Sequence, residues 1–350
     1  MAPLCESFKQ LRAAATAVEE RCGFDVWSEM QLERVVTGSV HKLYSSLFGA
    51  WDLSAAPDLY SDLVDPLLPY TRAAGSDGPA GTMTPLVSLL TRTLVPRLKQ
   101  YVHTEWDPSS DDRLASILDR LPPAISAAVS GDIGMVLQRA AEKTNPRVAM
   151  ARLAQAPEPE EQLAALSPLR FDRMLIPWLP FVADPSELLA IVRRKLCTAL
   201  DCWVPSKGSN DLLAALVSPW IEVLHGRDRA KLIAAAVSCL SAMLRANLEF
   251  NAQRQALWPF KLLVKWHRIL PLDTWASLAR SSVLERFLDY LRQWLAEQDA
   301  DYAEVADWYW QWKLLFPADA VVCPEIQDAF REALVYMAFS LEQRLCASGT

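Results

Sequence analysis

Apolar residues recur along most of this chain at intervals of three and four positions, the spacing that places them on one face of an α-helix. Prolines and short polar turns separate the apolar segments. The strongest start signal is Asp184-Pro185-Ser186-Glu187, which combines an N-cap residue, a proline at the first helical position and a nearby glutamate. The pattern therefore predicts many sharply ended helices.

An N-terminal block of helices is predicted over 1–72, including helices at 1–22 and 25–49, followed by a flexible loop over 73–83. A helical-repeat domain is predicted over 84–345, with its tightest packing in 168–345, where most tryptophans lie. Within that domain the predicted helices are one opening at Thr84-Pro85 and ending at Trp106-Asp107-Pro108, Asp111–Leu121, Gly131–Ala154, one opening at Ser167-Pro168, one capped by Asp184 with Pro185 at its first position and ending at Trp203-Val204-Pro205, one opening at Ser218-Pro219, Arg227–Leu248, Trp258–Leu270, Thr274–Leu295 capped by Asp273, Asp301–Pro317 and Pro324–Leu345.

The most aromatic segment, DYAEVADWYWQWKLLFP at 301–317, is predicted to be one helix. Asp301 and Glu304 form a capping-box pattern before it, and Pro317 ends it. Val305, Trp308, Trp312, Leu315 and Phe316 share a face, whereas Trp310 points roughly 200° away from Trp308. Indole groups on two sides of one helix indicate neighbours on two sides, as in a layered helical array.

Tryptophans near predicted helix starts, three of them beside a proline, recur at intervals of about 40 to 50 residues, the length of a HEAT-like helix pair. The markers are Trp178, Trp220, Trp258 and Trp308. Such pairs cannot bury their apolar faces alone and stack into a superhelix. We therefore predict an all-α, HEAT-like α-solenoid of stacked antiparallel helix pairs. The alternative is an irregular α-helical domain that uses tryptophan as core filler.

Composition agrees with a nearly all-α protein, because 51% of the 350 residues are hydrophobic and only 11 are glycine. The net charge of −7 disfavours bulk nucleic-acid binding as the main activity. Seven irregularly spaced cysteines indicate buried, reduced thiols, which suits the nucleus or cytosol. No uninterrupted apolar run reaches about 18 residues, so no membrane contact is expected.

The sequence carries no pattern that predicts catalysis, a cofactor or a metal. The four histidines are widely separated, and Cys197 and Cys202 lack nearby histidine partners. Neither a phosphate-binding glycine loop nor a nucleophile elbow is present. The paired acids Asp111-Asp112 and Asp299/Asp301 precede helices, where carboxylates favour the helix dipole. We therefore expect a protein that is not an enzyme.

Two surfaces are candidate binding sites. Aromatic residues are enriched at interface hot spots, so the helix at 301–317 could bind a partner protein if Trp310 or Tyr309 is partly exposed; the alternative is that its aromatic residues are core. The candidate partner-binding residues are Trp308, Tyr309, Trp310, Trp312 and Lys313. A basic helical face at Lys261, Lys265 and Arg268 is a candidate RNA or phosphate contact, with a solvated face as the alternative.

Several short segments resemble the C-terminal half of the tuftelin-interacting protein family, which shares a domain type with the GC-rich sequence DNA-binding factor-like proteins. The resemblance covers roughly 85–340. The matching segments are Val95-Pro96-Arg97-Leu98, Trp106-Asp107-Pro108, Ile176-Pro177-Trp178-Leu179-Pro180, Arg194-Lys195-Leu196 through Trp203-Val204-Pro205, Pro219-Trp220, and Tyr302 through Trp308-Tyr309 to Trp312-Lys313.

This resemblance implies a nuclear pre-mRNA splicing factor that acts in disassembly of the intron-lariat spliceosome. Family members stimulate a DEAH-box RNA helicase through an N-terminal glycine-rich G-patch, while their helical C-terminal region docks on the spliceosome core. The present sequence contains no glycine-rich segment of that type. We therefore expect a docking subunit that contacts spliceosomal core or U5 proteins. Any helicase contact would be indirect, through a separate G-patch protein, and a role in U5 particle assembly is the second expectation.

Overall fold

The structure, a computed structural model of the 350-residue chain, describes residues 85–110, 113–204, 210–251, 256–297 and 300–348, together with scattered positions before 85. Within these residues every regular element is a helix and no strand occurs, which confirms the predicted all-α class. The helices predicted at 1–22 and 25–49 and the loop predicted over 73–83 lie outside the continuously described residues, so the N-terminal boundary stays a prediction.

Fifteen α-helices follow one another through the described part of the chain, with short 3₁₀ and π segments between some of them. The first seven are α1 (Pro85–Thr104), α2 (Arg113–Arg120), α3 (Pro123–Lys143), α4 (Pro146–Gln155), α5 (Pro159–Leu166), α6 (Phe171–Leu175) and α7 (Ser186–Asp201). The other eight are α8 (Asn210–Val223), α9 (Gly226–Asn247), α10 (Trp258–Lys265), α11 (Leu272–Ala279), α12 (Glu285–Ala296), α13 (Tyr302–Leu315), α14 (Ala318–Val321) and α15 (Pro324–Ser348).

The chain forms two compact units, of which the first comprises 1–143 and 173–188 and the second 144–172 and 189–350. In the first unit α1 packs against α3. The Asp132 carboxylate on α3 accepts hydrogen bonds from Lys99 at 3.0 Å and His103 at 2.8 Å on α1. Burial raises the pKa of Asp132, but these two donors outweigh burial and hold the pKa below its ordinary value.

A pair of tryptophans fixes the loop after α1 in this first unit. Trp106 meets Trp178 edge to face at 4.6 Å between ring centroids, and the Trp178 Nε1 donates to the Pro108 carbonyl at 3.2 Å. Both rings are buried. Trp178, one of the tryptophan markers of the predicted repeat, is therefore in direct contact with Trp106.

The helices of the second unit are arranged in layers, and a helix of one layer runs parallel to the corresponding helix of the next layer. Ser241 on α9 meets Ser282 in the π-helical segment Arg280–Leu284, and the Arg286 guanidinium donates to the Leu244 and Leu248 carbonyls. The residue numbers of the bonded partners increase together along the two helices, so the helices run parallel.

The same parallel relation holds between α12 and α15. The Arg292 guanidinium donates hydrogen bonds to the Glu332 carboxylate and the Tyr336 hydroxyl, and the Leu295 carbonyl accepts a hydrogen bond from the Ser340 hydroxyl. The hydrogen bonds between these layers span 38 to 52 residues along the chain. This spacing agrees with the repeat of about 45 residues that the tryptophan markers predict.

Helix α13 lies antiparallel to α15 within the last layer. The Tyr302 hydroxyl meets the Ser340 hydroxyl at 2.7 Å, and the Tyr309 hydroxyl donates to the Phe330 carbonyl at 3.4 Å. The residue numbers of the contacts on α15 decrease as those on α13 increase, so the two helices are antiparallel. This is the predicted arrangement of stacked antiparallel helix pairs.

Helix starts follow the sequence signals closely. The Asp184 carboxylate accepts a hydrogen bond from the Ser186 backbone N–H at 3.0 Å. The Ser186 hydroxyl, and after it this N–H, lower the pKa of Asp184. The Asp301 carboxylate accepts from the Ala303 N–H at 2.8 Å in the same way. These carboxylates satisfy backbone donors that the first helical turn leaves open.

Three predicted helix boundaries are wrong. The helix predicted over Gly131–Ala154 is two helices, because Pro146 cannot continue α3 and instead starts α4 beneath its Asn145 cap. Ser218-Pro219 does not start a helix: α8 runs through Pro219, since Leu216, Val217 and Trp220 on both sides of it are buried. Pro271 rather than Asp273 occupies the N-cap of α11, and the predicted helix over 274–295 is divided by the π segment.

By length and composition alone, α9 is the one helix in the described part of the chain that could cross a membrane. In the structure it packs against α8, α10 and the π segment, and Leu232, Ala236 and Leu240 are buried. A core helix of a layered array meets the same criteria of length and composition.

The Arg286 guanidinium links two layers by satisfying the last carbonyls of α9, with distances of 3.1 Å to Leu244 and 2.6 Å to Leu248. We expect Arg286→Ala to lower the free energy of unfolding by about 1.5–3 kcal/mol, because two charged hydrogen bonds are lost, although the Leu244 carbonyl keeps the hydrogen bond from the Leu248 N–H. Chemical denaturation followed by circular dichroism measures this.

Arg331→Ala is the matched control for this change. Arg331 pairs only with neighbours on its own helix, with its side chain 67% exposed, so its removal should cost less than about 0.5 kcal/mol. Equal effects of the two substitutions would contradict the assigned role of Arg286.

Candidate partner-binding surface

The α13 helix places its aromatic side chains in two directions. Trp308 and Trp312 face α12 and α10: Trp308 stacks on Phe287 with 4.7 Å between centroids and an interplanar angle of 9°, and Trp312 meets Phe260 at 5.4 Å. All four rings are buried. Around them lies a continuous aromatic cluster that also includes Phe250, Tyr290, Trp294, Phe316 and Phe330.

Tyr309 points in the other direction, toward α15. Its ring meets Phe330 edge to face at 5.7 Å, and its hydroxyl donates to the Phe330 carbonyl. Burial raises the pKa of this hydroxyl above its ordinary value. Helix α13 therefore has neighbours on two sides, as its sequence predicts, but Tyr309 rather than Trp310 makes the second contact.

Three of the five candidate partner-binding residues cannot touch a partner directly. Trp308, Tyr309 and Trp312 are at most 4% exposed, because they supply the packing between layers. For these three, the structure corrects the prediction of partner contact in favour of its core alternative. They hold α13 in place and so position the residues that face solvent.

Trp310 is 55% exposed, in contrast to the buried indoles around it. The Lys313 ammonium lies 5.2 Å from the Trp310 ring centroid and 6.0 Å from that of Phe330, so it bridges α13 and α15 and restrains the exposed indole. Leu314, one turn along the helix, is 79% exposed. We call Trp310, Lys313 and Leu314 the Trp310 surface.

This arrangement has the chemistry of an interaction hot spot. A rigid, half-exposed indole beside a cation and an exposed leucine offers apolar area at low cost in side-chain entropy. Binding of a partner there stays a prediction for Trp310 and Lys313. Leu314 is not among the residues predicted from the sequence, because its apolar neighbours along the helix suggested that its side chain is buried.

The three basic candidates lie together on one exposed face. Lys261 and Lys265 are on α10, and Arg268 ends the 3₁₀ segment Trp266–Arg268 that follows it. The adjacent Trp266 is fully buried and offers no ring for base stacking. His267 is also buried, with its Nε2 3.3 Å from the Asp319 carboxylate. A phosphate contact on this face stays a prediction that rests on charge.

A groove of about 770 Å³ beside α9 was not predicted from the sequence. Its lining includes the small residues Ala234, Ser238 and Ala242 together with Arg245 and Asp273. Small residues give no periodic apolar signal, and only their recurrence at every fourth position could have indicated a recessed helix face. Among the described residues, no group of three His, Cys, Asp or Glu side chains could hold a metal ion.

These layers define the class of protein as an all-α helical-repeat protein with an aromatic interior. The chain belongs to the family described as GC-rich sequence DNA-binding factor-like protein, whose match covers residues 21–291. The match includes most of the layered second unit and ends just before α13.

Relatives with a similar sequence include tuftelin-interacting protein 11 of Xenopus laevis, which is 27% identical over 85% of this chain and 34% of its own length. Tuftelin-interacting protein 11 of Mus musculus is 31% identical over 46% of this chain and 19% of its own length. The septin and tuftelin-interacting protein 1 homolog of Dictyostelium discoideum is 23% identical over 69% of this chain and 30% of its own length. The chain thus spans about a third or less of these relatives.

The contrast between Trp312 and Trp310 can be measured directly. We expect Trp312→Ala to lower the free energy of unfolding by about 3–5 kcal/mol, because it removes a fully buried indole from contact with Phe250, Phe260 and Phe287. Trp310→Ala, two residues away, should cost about 1 kcal/mol or less, mainly the contact with Lys313. Urea denaturation of the two variants compares them, and a large loss for Trp310→Ala would place that ring in the core.

Proposed function

We propose that this chain is a non-catalytic scaffold of pre-mRNA splicing that docks on spliceosomal proteins in the nucleus. Its family membership and its likeness to tuftelin-interacting protein 11 support this proposal. The relatives' printed names describe binding to tuftelin and septin and likeness to a DNA-binding factor, and none of them names an enzyme.

The observation that carries the docking role is the exposure of Trp310. The surrounding aromatic side chains of α13 are buried between layers, so a solvent-facing indole held by Lys313 is out of keeping with a purely structural helix. Repeat arrays provide extended surfaces for holding other proteins. We assign the Trp310 surface as the docking site for a protein of the spliceosome core or the U5 particle.

The step we propose is disassembly of the intron-lariat spliceosome, with assembly of the U5 particle as the second role. A DEAH-box RNA helicase would be engaged indirectly, through a separate protein that carries the G-patch.

Affinity capture from nuclear extract with quantitative mass spectrometry tests the docking role. The wild-type chain should recover spliceosomal core or U5 proteins, and Trp310→Ala should reduce that recovery about tenfold or more, as expected for a hot-spot residue. Phe339→Ala is the matched control, because Phe339 is a comparably exposed aromatic residue on α15. Recovery of no splicing protein by the wild-type chain would remove the proposed function.

A second function, binding of RNA or DNA, is favoured by the shared exposed face of Lys261, Lys265 and Arg268. If this face contacts phosphates, affinity for a single-stranded oligonucleotide should fall steeply with salt, and Lys261→Gln/Lys265→Gln should reduce the salt dependence by about two charges. Fluorescence anisotropy at several salt concentrations measures both. If the affinity for the oligonucleotide and its salt dependence are unchanged by this double substitution, a nucleic-acid site on this face is contradicted.

A further inference from the structure

The apolar stripe of α15 is buried in its first half and exposed in its second. Ile326 and Phe330 lie in the core. The same stripe continues through Leu334, Leu341 and Leu345, which are 48%, 44% and 63% exposed. Along about three turns this helix presents an apolar stripe to water, as is typical of a helix that binds a further partner.

The exposed half of the stripe is distinct from the face that α15 turns toward α12 and the π segment. On that face, Glu332 accepts hydrogen bonds from Arg280 of the π segment at 3.1 Å and from Arg292 of α12 at 3.0 Å, and Ser340 donates to the Leu295 carbonyl. Helical periodicity of about 100° per residue places Leu334, Leu341 and Leu345 more than a quarter turn from these two α15 residues. They lie on the side of α15 that faces away from α12.

The exposed stripe also lies apart from the Trp310 surface. Tyr309 is level with Phe330, and Tyr302 is level with Ser340, as their hydrogen bonds show. Trp310 is therefore level with the buried part of the stripe, whereas the exposed part begins about one turn further along and runs away from it. An occupant of the exposed stripe would leave Trp310 accessible.

The spacing of the stripe makes it complementary to itself. Leu334, Ala338, Leu341 and Leu345 are separated by four, three and four positions, which is the spacing of a coiled-coil seam and reads the same in both directions. In an antiparallel pair with two-fold symmetry, Leu334 would lie opposite Leu345 of the second copy, and the small Ala338 opposite Leu341 of the second copy. The small Ala338 would then accommodate Leu341 in the two central layers, between outer layers in which leucine meets leucine.

We infer that this chain forms a symmetric dimer in which the exposed stripe of α15 pairs antiparallel with the same stripe of a second copy. Closed two-fold pairing requires a patch that matches itself, which this stripe does. The exposed fractions of Leu334, Val335, Ala338, Leu341 and Leu345 correspond to on the order of 500 Å² per copy, so that a pair buries about 1,000 Å², the lower size of a specific interface. The dimer is therefore expected to be concentration-dependent.

Light scattering coupled to size exclusion, with the full 350-residue chain at concentrations up to about 100 μM, tests the dimer. The mass should rise from 39.1 kDa toward twice that value. Leu341→Glu should raise the dimer dissociation constant about a hundredfold or more, because it buries unpaired carboxylates at the seam. Its circular dichroism should be unchanged, since Leu341 is exposed in the single chain.

Phe339→Glu is the matched control for this substitution. Phe339 is 60% exposed on the same helix but lies more than a quarter turn from the seam, so this variant should dimerise like the wild-type chain. A wild-type mass that stays at 39.1 kDa, or equal dissociation by both variants, would overturn the inference.

Spin labels test the antiparallel register. With a two-fold axis between 339 and 340, labels at position 331 should be about 25 Å apart along the helix axis and labels at 342 about 8 Å apart, at a rise of 1.5 Å per residue. Electron double resonance on the wild-type background compares them. Equal distances at the two positions would indicate a parallel pair and contradict the proposed seam.

Discussion

The packing of aromatic rings between successive helical layers is the interaction on which the second unit depends. Trp308 stacks on Phe287, and Trp312 contacts Phe250 and Phe260, so one helix joins α10 and α12. Tyr309 extends the contact to α15 through Phe330. An isolated helix pair has nothing to cover such faces, and the layers therefore stabilise one another. The large apolar area of each indole explains why relatively few residues suffice.

Hydrogen bonds set the register of the layers that the aromatic rings hold together. Arg286 reaches the last carbonyls of α9, and Arg292 and Ser340 connect α12 with α15. Hydrophobic packing alone is not directional, whereas these contacts fix which turn of one helix lies beside which turn of the next. The guanidinium and hydroxyl groups thereby donate hydrogen bonds to carbonyls near helix ends.

The same construction separates support from recognition on α13. Its buried side chains immobilise the helix, and Trp310, held by Lys313, gains a fixed orientation from that support. A fixed side chain loses little entropy when a partner binds. This division explains how a protein without a pattern of catalytic residues could act in splicing, by holding other proteins at defined positions. The exposed stripe of α15 adds a second surface with a different composition and a different occupant.

The sequence by itself determined the all-α class, the repeat of about 45 residues, the caps at Asp184 and Asp301 and the aromatic helix, because each depends on local spacing and side-chain chemistry. The predictions from the sequence were wrong at Pro146 and Pro219, since the packing around a proline decides whether it starts a helix, ends one or lies inside one. Only the tertiary structure decided that Tyr309 is buried while Trp310 is exposed, and that the stripe of α15 is covered at Phe330 but open at Leu345. Periodicity shows which residues share a face, but the neighbouring layer decides which faces are covered.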